Sequence, residues 1–181
     1  MTEFQQALLM SGGIAAFVLI MNLGTRTFER KALIRTLAIC GGVGYGYLRH
    51  VPTGSHEIAA YVVAGVLALT FGGAAIATTR VHWNASRAAV MTTCGAGFVA
   101  VWVLAVAARL GFIWEVEHNH GFRTWFGEFM MSHQIHETAI APFFVIWALG
   151  MVAIRMAWVA YRAGDLQDRF AQTQRVPELI G

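Results

Sequence analysis

Imidazole and carboxylate side chains are densest between Leu110 and Glu137. There Trp114-Glu115-Val116-Glu117-His118-Asn119-His120 is followed by an aromatic run and then by Ser132-His133-Gln134-Ile135-His136-Glu137. His133 and His136 are three apart and Glu137 is four from His133, so a continuous helix would bring all three to one side. Two imidazoles and a carboxylate can hold a divalent transition metal with positions left open, and His118, His120, Glu115 or Glu117 would complete the set. Haem ligation and titration at a surface are the other uses of the same residues. The spacing is not His-Glu-x-x-His or another metalloenzyme signature. In an acid–base enzyme, His133, His136 or Glu137 would move the proton while Arg109 fixed an acidic group of the ligand.

Phe122, Trp125, Phe126, Phe129, Met130 and His133 recur at spacings of three and four, which predicts a short amphipathic helix along the membrane surface. It would serve as an aromatic anchor or as a lid over a cavity between the spans.

The elements that must hold these residues are set by composition. In 181 residues, 57% are hydrophobic, 13% are charged and the mean hydropathy is +0.56, whereas a soluble domain carries about a quarter charged residues. The apolar residues also lie in long blocks separated by Arg, His, Pro and Asn, the pattern that a bilayer selects. A span takes about 20 residues of helix, because every backbone polar group must be satisfied within it. The blocks predict an all-α bundle of five transmembrane helices near Gln6–Leu23, Leu33–Leu48, Ile58–Thr78, Ala89–Ala108 and Thr138–Tyr161. No ten-residue alternation points to a β-barrel. The first block lacks a basic leading region and a small-residue cleavage site, so it reads as a retained helix. The bundle takes residues 1–162, including the 110–137 loop, and residues 163–181 form a tail.

Lys and Arg in short loops favour the cytoplasmic side. With the N-terminus outside, Arg26, Arg30, Lys31, Arg35, Arg80, Arg87, Arg155, Arg162, Arg169 and Arg175 fall inside, and only Arg49, Arg109 and Arg123 fall outside. A multi-pass cell-membrane protein with a cytoplasmic C-terminus follows. All histidines except His82 then lie outside, joined by Glu57, Glu115, Glu117, Glu128 and Glu137. The net charge of +3 expresses the inner bias and contact with anionic lipids. No basic-aromatic stripe for nucleic acid is present.

Cys40 and Cys94 fall inside expected spans and read as small apolar residues. Clustered glycines such as Gly41, Gly42, Gly44, Gly46, Gly72 and Gly73 predict closely packed helices. Arg109 and Arg155, at or inside span ends, would snorkel or find a partner. Pro142 would kink the fifth span or mark its first turn. Asn84-Ala85-Ser86 fits a glycosylation acceptor by chance, being on the inner face.

The run from Thr78-Thr79-Arg80-Val81 through Arg87, then Trp102 and Val106-Ala107-Ala108-Arg109-Leu110, resembles the small polytopic CcdC-like membrane proteins. The opening helix with its basic turn and the Arg155 to Arg162 stretch are also similar. The resemblance implies a link to cytochrome c maturation, and for most members no activity. The His/Glu-rich loop departs from that pattern. Two functions are consistent with the sequence. One is a non-catalytic subunit or accessory protein whose outer loop contacts a partner membrane protein, a second copy, a transition metal or haem. The other is an intramembrane enzyme acting on a lipid or isoprenoid.

Overall fold

The computed structural model describes residues 24–49 and 54–175. The expected span Gln6–Leu23 and His50 lie outside the described residues. The order is β1 (Gly24–Thr27), α1 (Arg30–Leu48), α2 (Ser55–Ala77), β2 (Thr79–Asn84), β3 (Ala89–Cys94), α3 (Ala96–His118), α4 (His120–Ser132) and α5 (Ile140–Arg175). Three helical stretches are long and apolar enough to cross a membrane: His56–Ala77, Ala96–His118 and Glu137–Phe170. Helix α1 covers the expected Leu33–Leu48 but is not among them. Its first turns carry Arg30, Lys31 and Arg35 and its second half four glycines.

The fold is mostly helical, as expected, but it also contains a three-stranded antiparallel sheet in the order β1-β3-β2. This corrects the fourth span, which begins at Ala96 and not Ala89. Val90, Thr92 and Thr93 are β-branched and suit an extended chain better than a helix. Asn84 accepts a hydrogen bond from the Arg87 N–H at 3.2 Å, and Ala88 takes a left-handed conformation, which together close the β2–β3 hairpin. Asn84 thus works as a turn residue. Helix α3 starts after Gly95 and runs through Arg109 to His118, which places Arg109 in mid-helix instead of at a span end.

Helix α2 packs along α5, and their shared core joins Ala64 and Ala68 to Phe144 and Trp147. Between apolar helices in lipid, close packing rather than water exclusion supplies the attraction. A Cβ placed on Gly150 would stand 2.7 Å from that of Ala68, and one on Gly72 3.1 Å from Ile154. Glycine is therefore required where the helices touch, while Gly41, Gly42, Gly46 and Gly73 meet nothing within 4 Å. Pro142, third in α5, lies in its first turn, where its missing N–H costs nothing. Helix α5 continues to Arg175, through the boundary expected at residue 162.

Candidate functional site

Asn119 both ends α3 and starts α4. Its N–H donates to the Glu115 carbonyl at 2.9 Å, its Nδ2 donates to Glu115 Oε2 at 3.0 Å, and its Oδ1 accepts from the Phe122 N–H at 3.1 Å. One N-cap residue therefore folds α4 back beside α3. The inner row of α4 packs Phe122 and Phe126 edge-on against Phe112, with centroids 6.1 and 5.1 Å away, and Phe112 in turn meets Phe144 of α5. The outer row is left uncovered, with Trp125 59% and Met131 74% exposed. The short helix expected from the aromatic spacing is present, but the six residues do not share one buried side: Phe122, Phe126 and Met130 turn inward, while Trp125, Phe129 and His133 are exposed.

The joint fixes the histidines in separate places. His118 stacks on Trp114 with centroids 5.2 Å apart, and its Nδ1 lies 3.1 Å from the Trp114 carbonyl. His133 caps the end of α4, its Nδ1 2.9 Å from the Phe129 carbonyl and its ring 4.3 Å from that of Phe129. A carbonyl only accepts, so the Trp114 contact calls for a proton on Nδ1 of His118, while Nδ1 of His133 also lies 3.0 Å from the Ser132 hydroxyl. Gln134 then adopts φ +51°. The Ile135 N–H reaches back to the Met130 carbonyl at 2.9 Å and the Gln134 N–H to that of Met131 at 3.1 Å. This Schellman motif stops the helix.

The continuous helix expected to align His133, His136 and Glu137 is thereby corrected. His136 is extended and Glu137 opens a separate short turn. His118, His120, His133, His136 and Glu137 are all exposed at the surface, apart from the contacts just named. Among the described residues no three His, Cys, Asp or Glu side chains lie close enough together to hold a metal ion. Arg109 is half-buried on α3 with its guanidinium carbon 5.5 Å from the Phe144 centroid.

At the other end of the bundle, Arg155 is 6% exposed and does not snorkel. Its Nη2 donates to Cys94 Sγ at 3.0 Å and its Nε to Thr79 Oγ1 at 3.4 Å. Its guanidinium carbon stands 4.4 Å from the Phe98 ring centroid. The Thr79 hydroxyl donates its own proton to the Ala75 carbonyl at 2.7 Å. Thr79 and Cys94 face each other in the β2–β3 register, so one arginine ties α5 to the mouth of the hairpin and to α3. Cys94 is buried, but it ends strand β3 instead of lying inside a span, and it accepts a hydrogen bond.

One and two turns beyond Arg155, Trp158 and Arg162 face strand β2. With Thr79, Arg80, Val81, His82 and Thr93 they line an open pocket of about 590 Å³. Strand β2 is a sheet edge, and Arg80 and His82 alternate with Thr79, Val81 and Trp83 along it. Sequence reasoning set His82 apart from the other histidines and missed this pocket. The available signals were the period of two in Thr79-Arg80-Val81-His82-Trp83-Asn84 and the three-and-four spacing of Arg155, Trp158 and Arg162.

No family model, curated protein or solved structure matches this chain, so the likeness to the CcdC-like proteins rests on the quoted residues alone.

Proposed function

We propose that the protein is a non-catalytic integral membrane subunit or accessory protein of five spans, N-terminus outside and C-terminus inside, that meets a partner membrane protein through the α4 end. The observation that carries this is the filled space beneath α4. Phe112, Phe122, Phe126 and Phe144 occupy the room between α3, α4 and α5 that a substrate would need, while Trp125, Met131, His120, His136 and Glu137 face outward. An acid–base enzyme needs its proton-transfer groups around a cavity. Aromatic and polar side chains on an open face suit recognition instead. The orientation is supported by the sheet, which pairs Arg26 with Thr92 beside Arg80 and so gathers the cation-rich segments at one end.

Cysteine introduced at His136 or at Ser86, in a Cys40→Ala background, tests both parts when an impermeant maleimide photo-crosslinker is applied to intact cells. His136→Cys should give a discrete protein adduct and Ser86→Cys none. Labelling of His136→Cys without a protein adduct would overturn the partner surface, and labelling of Ser86→Cys alone would reverse the orientation.

A further inference from the structure

We propose that the pocket between β2 and α5 binds a phosphate group, supplied by an anionic phospholipid head group or by free phosphate. The site lies at the opposite end of the bundle from the partner surface and does not depend on it. Arg162 is 22 residues beyond the start of α5, roughly 33 Å along the helix axis.

Charge comes first. Of the seven lining residues two are arginines, one is histidine and none is acidic. Among the described residues the side chains of Arg80 and His82 have no hydrogen-bond or ion-pair partner. Arg162 shares Asp165 with Arg169, but its contact is 3.6 Å against 2.9 Å for Arg169, so the carboxylate serves Arg169 first. Behind the Thr79 wall stands the Arg155 charge, bound to Thr79 and Cys94. An anion entering here meets positive potential from a strand, a helix and the layer beneath. Arg80 and Arg162 line the opening from two separate elements, and a guanidinium donates directed hydrogen bonds of the kind that phosphate oxygens accept.

Shape and location come second. A volume of about 590 Å³ falls in the range of small-molecule sites, roughly 300–1,000 Å³. Val81 and Trp158 make part of the lining apolar. The pocket flanks the segment where α5 changes from an apolar run to Arg162, Asp165, Asp168 and Arg169, the composition change that marks a bilayer surface. Trp83 stacks on Phe170 with centroids 4.7 Å apart just beyond it. A phosphate held on a lipid is presented at this level, and acidic lipids concentrate at basic surfaces.

The test uses the purified full chain in detergent with dihexanoyl phosphatidylglycerol, dihexanoyl phosphatidylcholine or inorganic phosphate, read by calorimetric titration. Saturable binding of phosphatidylglycerol is expected, and the Arg80→Gln/Arg162→Gln double variant should weaken it at least about tenfold. An Arg87→Gln/Arg123→Gln control, which removes two charges away from the pocket, should stay within about twofold. Preference for phosphatidylglycerol over inorganic phosphate assigns the head group. Equal Arg-dependent binding of inorganic phosphate assigns the free anion. Unchanged binding in the Arg80/Arg162 variant, or equal binding of phosphatidylcholine, overturns the site. If the double variant does not fold, Arg162→Gln alone, at a side chain 45% exposed, carries the same test with a loss of about threefold.

Discussion

The α4 end of the bundle holds more imidazole and carboxylate than the sheet end, yet the sheet end is where side chains from different elements meet around one space. At the α4 end the polar residues are engaged close to home. Asn119 caps α4, Glu115 holds Asn119, and His133 closes the helix. At the sheet end Arg155, Thr79 and Cys94 come together across sequence separations of 76 and 61 residues. Density along a chain measures what is nearby in sequence, while a site needs groups brought together from elements that are far apart in it.

The contrast is broken or sharpened most strongly at Arg155. Arg155→Ala removes two hydrogen bonds from a charged donor and the contact with Phe98, and should cost about 2–3 kcal/mol. Thermal unfolding in detergent, followed by tryptophan fluorescence, reads the loss. Arg155→Lys should recover less than half, because an ammonium cannot place two planar donors on Thr79 and Cys94 at once. A loss below about 0.5 kcal/mol, within the range of an ordinary surface substitution, would mean that the sheet is held by its strands alone.

A smaller effect is expected at the α3–α4 joint. Asn119→Ala removes an N-cap and the bond to Glu115, worth about 1 kcal/mol. Faster protease cleavage between α3 and α4 should accompany it, and unchanged cleavage would show that the aromatic row alone seats α4.

The smallest effect belongs to the histidines. His133→Ala with His136→Ala should change stability by less than about 0.5 kcal/mol each, the usual range for exposed positions. A loss above about 2 kcal/mol, the scale of a broken buried network, would make these imidazoles structural and place the two ends on the same footing.

The helices were legible where composition alone decides. The apolar runs located α2 and the body of α5, and the three-and-four spacing of Phe122, Trp125, Phe126, Phe129, Met130 and His133 located α4, but not its buried side, since Trp125, Phe129 and His133 are exposed. The Ala89 boundary failed because Ala89-Val90-Met91 reads as apolar whether the backbone is helix or strand. The separating evidence, pairing with Thr79–Asn84, is non-local. The His133, His136 and Glu137 alignment failed for a different reason. Its premise was an uninterrupted helix, and Gln134, a residue with no strong preference for positive φ, is where the helix ends. The Arg80, His82 and Arg162 pocket needs three tertiary facts at once, which no single window of sequence contains.

Strand β1 adds a consequence for the order of assembly. Strands β2 and β3 are joined by a short turn, Ala85 to Ala88, and can pair as soon as both are made. The Thr25 hydroxyl reaches that of Thr93 across 68 residues, with α1 and α2 lying between them in sequence. Strand β1 is made first but cannot pair with β3 until α1, α2 and β2 have followed it in the chain. Joining β1 to β3 closes a loop of high contact order, a slow step whose entropic cost is met late. The sheet therefore ties the chain before α1 to the strand that follows α2 and β2, so its third strand is the part that depends on both helices having formed between the paired segments.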